Sequence, residues 1–339
     1  MLAMKRIPGV SLLIVVLSAA MALSQAQAQT SSVKLDVMVH DGSDNPVTGL
    51  KQQDFTVSDN GKTVTPSSFA EVSKDDTPPT VVLVFDLVND SVLYATLLRD
   101  QLTKVLQRNG GQLAYPTVLT VATSTGISSS QSPTTDGNAL AAMLAKVSLG
   151  PDVNQRAGGS AGALQRRNLS IKAMNDVLGS ASKIPGRKLV FWMSPGWAAM
   201  GGTTASPDQE QELFSAVKQY STGLRMANIT LYKLSTAGSS ASVSALQSYR
   251  QYIKGVNAPN KTDFADLSLE VLAAQSGGLV LNSNDFGLMY DQCLKDAGDH
   301  YEIEIPAGEP AKNMAFHDVQ VRVNRPGAVA RTRDGYYPQ

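Results

Sequence analysis

A chain of 339 residues with 29 Lys+Arg against 29 Asp+Glu carries no net formal charge, which argues against a nucleic-acid binder held by a basic surface. Its 42% hydrophobic and 17% charged residues argue for a packed core rather than a disordered chain. The length suits two ordinary domains or one large domain with an appendage.

Residues 1–28 read as a secretory signal. Lys5 and Arg6 precede the apolar run GVSLLIVVLSAAMAL, and Ala26 and Ala28 supply the small residues of a cleavage site. The expectation is an exported protein, periplasmic or extracellular, with no membrane span after cleavage and no cysteine placed for a lipid anchor. The single cysteine, Cys293, excludes an internal disulfide. It shares helical spacing with Met289 and Tyr290 and reads as a buried helix residue.

Residues 29–76 read as a β segment. VKLDVMVHD puts Val33, Leu35, Val37 and Val39 on one face of a strand, and DFTVSDNGKTV carries Asn60-Gly61, a two-residue hairpin signal. DDTPP, at 75–79, breaks the pattern as a linker. The grammar then changes over residues 77–298. TVVLVFD is a continuous apolar run, as in a strand of a parallel sheet covered on both faces. A helix follows in which Leu93, Leu97, Leu98, Leu102, Val105 and Leu106 read as one buried stripe. PTVLTVATS is the next strand, ISSSQSP a short edge strand, and TTDGNALAAMLAKV a helix with Thr135 or Asp136 as cap.

LQRRNLSIKAMNDVLGSASKI is helical, and GRKLVFWMSPGW is a strand running into a tight loop. Ser206 and Pro207 open the following helix. ITLYKLS, LVLN and two more helices continue the alternation, which argues for a doubly wound, mostly parallel α/β sheet. Residues 299–339 return to β with HYEIEIP and HDVQVRVNR. The flanks are expected to pack as a small β-sandwich-like domain into which the α/β domain is inserted.

Several stretches together resemble one family. VKLDVMVHDGSDNPVTGLKQQDFTVSDNGKTVTPSSFAEV, GRKLVFWMSPGW, LAAQSGGLVLNSNDF and FHDVQVRVNRPGAVARTRDGYYPQ are similar to segments of von Willebrand factor A-related (VWA) proteins of the acidobacterial type. The resemblance covers nearly the whole chain after the signal. It implies a Rossmann-like sheet with a metal-ion-dependent adhesion site at the carboxyl ends of the strands, where open α/β sheets bind ligands. Such a site holds a Mg²⁺-type ion with hard oxygen donors from an Asp-x-Ser-x-Ser loop, a Thr and a second Asp.

The sequence departs from that set. Asp86 matches the first aspartate, but Val88 and Asp90 stand at the serine positions, and the third loop reads Ser194-Pro195-Gly196 with proline where aspartate is expected. The ligand set implied for Mg²⁺ or Mn²⁺ is therefore Asp86, Asn89, Asp90, Ser160 and Ser194. In the alternative reading Asp86 caps the following helix through N–H groups near Asp90 to Leu93. Trp197 reads as an exposed aromatic anchor for a partner, and Trp192 as core.

Other chemistry has weaker signals. GGSAG at 158–162 matches a nucleophile-elbow pattern around Ser160, but no strand precedes it. His40, His300 and His317 show no zinc-site spacing and alternate with apolar strand residues, so they are expected to face solvent. No Walker lysine and no Gly-x-Gly-x-x-Gly follows a strand. The leading expectation is a non-enzymatic, adhesion-type module binding a protein at the carboxyl edge of the sheet, with metal assistance left open. A structural envelope protein with an inactive metal site comes second, and a hydrolase using Ser160 with His300 or His317 third.

Overall fold

A computed structural model describes residues 32–149, 159–197, 206–236, 249–309 and 315–338. The expected signal segment lies outside them. Strand β1 (Ser32–His40) leads into the hairpin of β2 (Phe55–Asp59) and β3 (Lys62–Val64), then β4 (Ser68–Val72). The hairpin turns at Asn60-Gly61, where both residues take positive φ.

The α/β alternation follows: β5 (Thr80–Asp86), α1 (Val92–Leu106), β6 (Gln112–Thr123), β7 (Gly126–Ser129), β8 (Thr134–Asp136) and α2 (Gly137–Ala145). It continues with α3 (Gly159–Ala181), β9 (Lys188–Met193), α4 (Pro207–Met226), β10 (Ile229–Ser235), α5 (Leu269–Gln275), β11 (Val280–Asn282) and α6 (Phe286–Leu294). The chain closes with β12 (His300–Pro306), β13 (His317–Val323), β14 (Val329–Arg331) and β15 (Gly335–Tyr336). Asp136 caps α2 through Ala139 N–H at 2.9 Å, and Ser206 caps α4 with Pro207 in its first turn.

The central sheet has the order β11-β10-β9-β5-β6-β7. Strands β11, β10, β9, β5 and β6 run parallel, and β7 and β8 pair antiparallel with β6. All seven residues of β5 are buried because successive side chains enter two different cores. Val81, Leu83 and Phe85 pack with α1, α2 and α6, while Val82 and Val84 pack with α3, α4 and α5.

Strands from the two ends of the chain pair with one another. β1 pairs β12 antiparallel, with Asp36 opposite Glu302, and β2 pairs β13. They contribute to two four-stranded sheets, β14-β1-β12-β4 and β15-β13-β2-β3. Val33, Leu35, Val37 and Val39 share a third core with Phe55, Val57, Tyr301, Ile303, Ile305 and Val319. The first of these sheets reaches the amino edge of the central sheet through Arg187, just before β9. Its guanidinium donates to the Asp296 carbonyl at 2.7 Å and lies 3.1 Å from Met38 Sδ. No described helix is long and apolar enough to cross a membrane.

Candidate functional site

The central sheet has its switch point between β5 and β9. Strand β5 continues through α1 to β6 on one side, and β9 continues through α4 to β10 on the other. Connections that part in opposite directions leave a crevice at the carboxyl ends of these two strands. Asp86, at the end of β5, and Ser194, just after β9, flank it.

The Asp86 carboxylate is 1% exposed and receives four N–H groups. Oδ1 accepts from the backbone N–H of Val88 at 2.9 Å and of Asn89 at 3.2 Å. Oδ2 accepts from the Asn89 amide at 2.9 Å and from the Trp192 indole N–H at 3.0 Å. The Asn89 amide also donates to Ser170 Oγ at 2.8 Å, and that hydroxyl donates to the Arg166 carbonyl at 2.9 Å. One carboxylate thus ties together the turn after β5, strand β9 and helix α3. The helix-cap expectation is corrected: Asp86 holds the turn, and Ser91 caps α1 by accepting from Tyr94 N–H at 3.3 Å. Asp90 is buried beside it, and burial followed by the Asp86 charge pushes its carboxyl up to about 7.

Ser194 is buried, and its hydroxyl accepts from Gly196 N–H at 3.2 Å. Gly196 has φ +119°, and a Cβ there would lie 2.7 Å from Glu270 Oε1. That oxygen is 3.5 Å from Nζ of Lys233, a lysine buried in β10. Burial lowers the Lys233 pKa and the Glu270 charge opposes this. Sequence reading passed over the pair, although a lysine inside the apolar strand ITLYKLS was a visible signal. Ser160 falls in the first turn of α3, and its side chain lies outside the described residues. Trp197 is half-buried, not exposed, because its ring packs edge-on against Trp192 at 5.7 Å. Trp192 is core, as expected.

The apolar stripe of α1 needs correction too. Ala95, Leu98, Leu102, Val105 and Leu106 are buried, but Leu93 is 66% and Leu97 47% exposed, with Val92 and Tyr94 also open to solvent. Three consecutive apolar residues sweep about 200° of a helix, more than one stripe can bury. Helices α1 and α6 follow parallel strands and α3 precedes one, so all three begin at the carboxyl edge. Of the eight large exposed hydrophobics among the described residues, six lie in the first two turns of these helices: Val92, Leu93, Tyr94, Leu97, Leu164 and Leu288.

The motifs behind the family resemblance do their work mostly at the other end. In GRK, Arg187 makes the junction described above, and Lys188 Nζ donates to the carbonyls of Ile184 and Gly186 at 2.8 and 2.6 Å. In SGG, Gly278 presses against β10, where a Cβ would sit 1.8 Å from the Leu231 carbonyl oxygen. His317 is buried rather than solvent-facing: its Nδ1 is 2.7 Å from Asp59 Oδ1, and Tyr336 O–H donates to Asp59 Oδ2 at 2.7 Å. His300 is buried as well, so strand alternation misplaced both; His40 is half-buried. Cys293 is buried in α6, where burial raises its thiol pKa well above the usual value. Among the described residues, one group of three could hold a metal ion: ligand atoms of Asp36, His300 and Glu302 lie within 4.8 Å of one another.

No family model matches the sequence, and no curated protein does. Solved structures to which the chain is similar include proximal thread matrix protein 1 from the mussel byssus, at 12% identity over 67% of this chain and 48% of that one, TM-score 0.32. A second is the human COPII-coat protein Sec24c, at 10% identity over 80% of this chain and 46% of that one, TM-score 0.33. A third is the manganese-loaded TRAP protein of Plasmodium vivax, at 11% identity over 80% and 98%, TM-score 0.32. The chain spans about half the length of the first two.

Proposed function

We propose that the protein is an exported, non-enzymatic interaction module of the VWA-related, acidobacterial type. In this reading an α/β domain over residues 77–298 is inserted in a β domain made of 29–76 and 299–339, and it binds a protein partner at its carboxyl edge. The observation that carries the reading is the apolar rim: Val92, Leu93, Tyr94, Leu97, Leu164 and Leu288 stand exposed around that edge. Exposed apolar side chains gathered at one end of a domain mark contact surfaces, and these six lie in helices that begin at the edge where the topology places ligands.

A cation plays no part in this reading. A Mg²⁺- or Mn²⁺-type ion needs about six oxygen ligands, with carboxylate oxygens free to face it. Here the Asp86 carboxylate already takes four N–H groups, the Val88 side chain offers no oxygen, and Pro195 stands in the third loop. That donor set does not fit such an ion. The turn is a hydrogen-bonded hub that holds the rim in place.

The test is site-specific photo-crosslinking in the native host. A photo-reactive residue at position 93 or 97 is expected to yield one discrete protein adduct, and one at exposed Met226, at the far end of α4, none. Crosslinking at 226 but not at 93 or 97 would contradict the reading.

A further inference from the structure

At the opposite end of the molecule, side chains of the β1–β12 ladder are left with unmet chemistry. Asp36 and Glu302 stand directly across from one another, and His300 lies two residues before Glu302 on the same face. Two carboxylates opposite each other in a sheet repel unless something positive sits between or beside them. Lys34 pairs with Glu302, and Arg187 Nε lies 3.7 Å from Asp36 Oδ2. Yet Asp36 Oδ1 is buried with no hydrogen-bond partner. His300 is 4% exposed, and neither ring nitrogen makes a hydrogen bond of good geometry, the Gly298 backbone being a weak polar neighbour. Buried polar groups without a well-formed hydrogen bond are rare, because each keeps an uncompensated desolvation penalty.

We propose that Asp36, His300 and Glu302 form a binding site for a divalent, zinc-type cation at the base of the β region. One imidazole nitrogen and two carboxylate oxygens make a mixed N/O set suited to Zn²⁺. The ion would satisfy the idle imidazole nitrogen and the free Asp36 oxygen together, and would separate the two facing carboxylates. Lys34 is the competitor: 40% exposed, it is free to leave Glu302 and turn to solvent.

Equilibrium dialysis against micromolar Zn²⁺, with bound metal measured by atomic spectroscopy, tests the site. The expected result is a single Zn²⁺ per chain, with affinity lost roughly tenfold or more in His300→Gln and in Glu302→Gln. Lys34→Gln should bind more tightly, a gain that a merely structural lysine would not produce. Asp90→Asn, at the carboxyl edge, should bind as the unaltered protein does. Glu302 is only half-buried, so its variant decides the matter if His300→Gln fails to fold. No retained Zn²⁺, undiminished binding in Glu302→Gln, or loss of binding in Asp90→Asn would each overturn the proposal.

Discussion

The two ends of the central sheet place buried carboxylates in opposite situations. At the carboxyl edge, Asp86 is met by N–H groups from a turn, an asparagine and a tryptophan, so both of its oxygens are used. Below the amino edge, Asp36 has one oxygen facing Arg187 and one with no hydrogen bond, beside a histidine whose ring nitrogens make no hydrogen bond of good geometry. The carboxylate in the position where the family resemblance expects a metal is saturated by the protein. The unsaturated group stands where no motif pointed. Motif position tells where a side chain sits in the fold, whereas the count of donors facing it tells what it can still bind.

The largest expected effect breaks the saturated end. Asp86→Ala leaves the Trp192 indole, one of the two Asn89 amide N–H groups and two backbone N–H groups without an acceptor, and should cost about 3–5 kcal/mol in urea denaturation at neutral pH. Gly196→Ala should cost about 1–3 kcal/mol, because its Cβ would meet Glu270 at a positive φ. A loss within experimental error would show that the loop yields and that the Glu270–Lys233 pair does not brace it.

Asp90 sharpens the comparison through pH. Its folded pKa of about 7 lies above the ordinary 3.8, so between these values the native chain holds a proton that the unfolded chain releases. Stability contributed by this group is therefore lost as pH rises through that window and is level above it. Asp90→Asn escapes the loss, and should be more stable by on the order of 2 kcal/mol at pH 8, with the two curves meeting near pH 4. Parallel curves would mean that Asp90 is ionised throughout. The smallest effect is expected at the rim: Leu93→Ser should change stability by less than about 0.5 kcal/mol, since the residue is exposed, while removing the crosslinked adduct.

Much of the architecture was legible because it rests on local patterns. The continuous run of β5, the alternation of β1, and the caps at Asp136 and Ser206 all formed as their residue types require. Errors arose where a pattern was read beyond the surface that would bury it. The first two turns of α1 leave Leu93 and Leu97 uncovered, although their spacing continued an apolar stripe. His300 and His317 alternate as solvent-facing residues do, but long-range partners cover those faces. Neither the saturation of Asp86 nor the meeting of Asp36 with His300 was legible, because both depend on contacts between residues far apart in the chain. Local spacing assigns a residue to a face of its strand, but it does not say which residue of a distant strand lies beside it.

The most direct measurement is a thermal melt in EDTA and then in millimolar Mg²⁺, run on His300→Gln and on the same chain carrying Asp86→Asn. The His300 change silences the amino-end cluster, so any response comes from the carboxyl edge. The account predicts that Mg²⁺ shifts neither melting temperature, and that Asp86→Asn lowers it equally with and without the ion. A rise with Mg²⁺ that Asp86→Asn abolishes would mean the carboxylate still holds a cation, and would contradict the account.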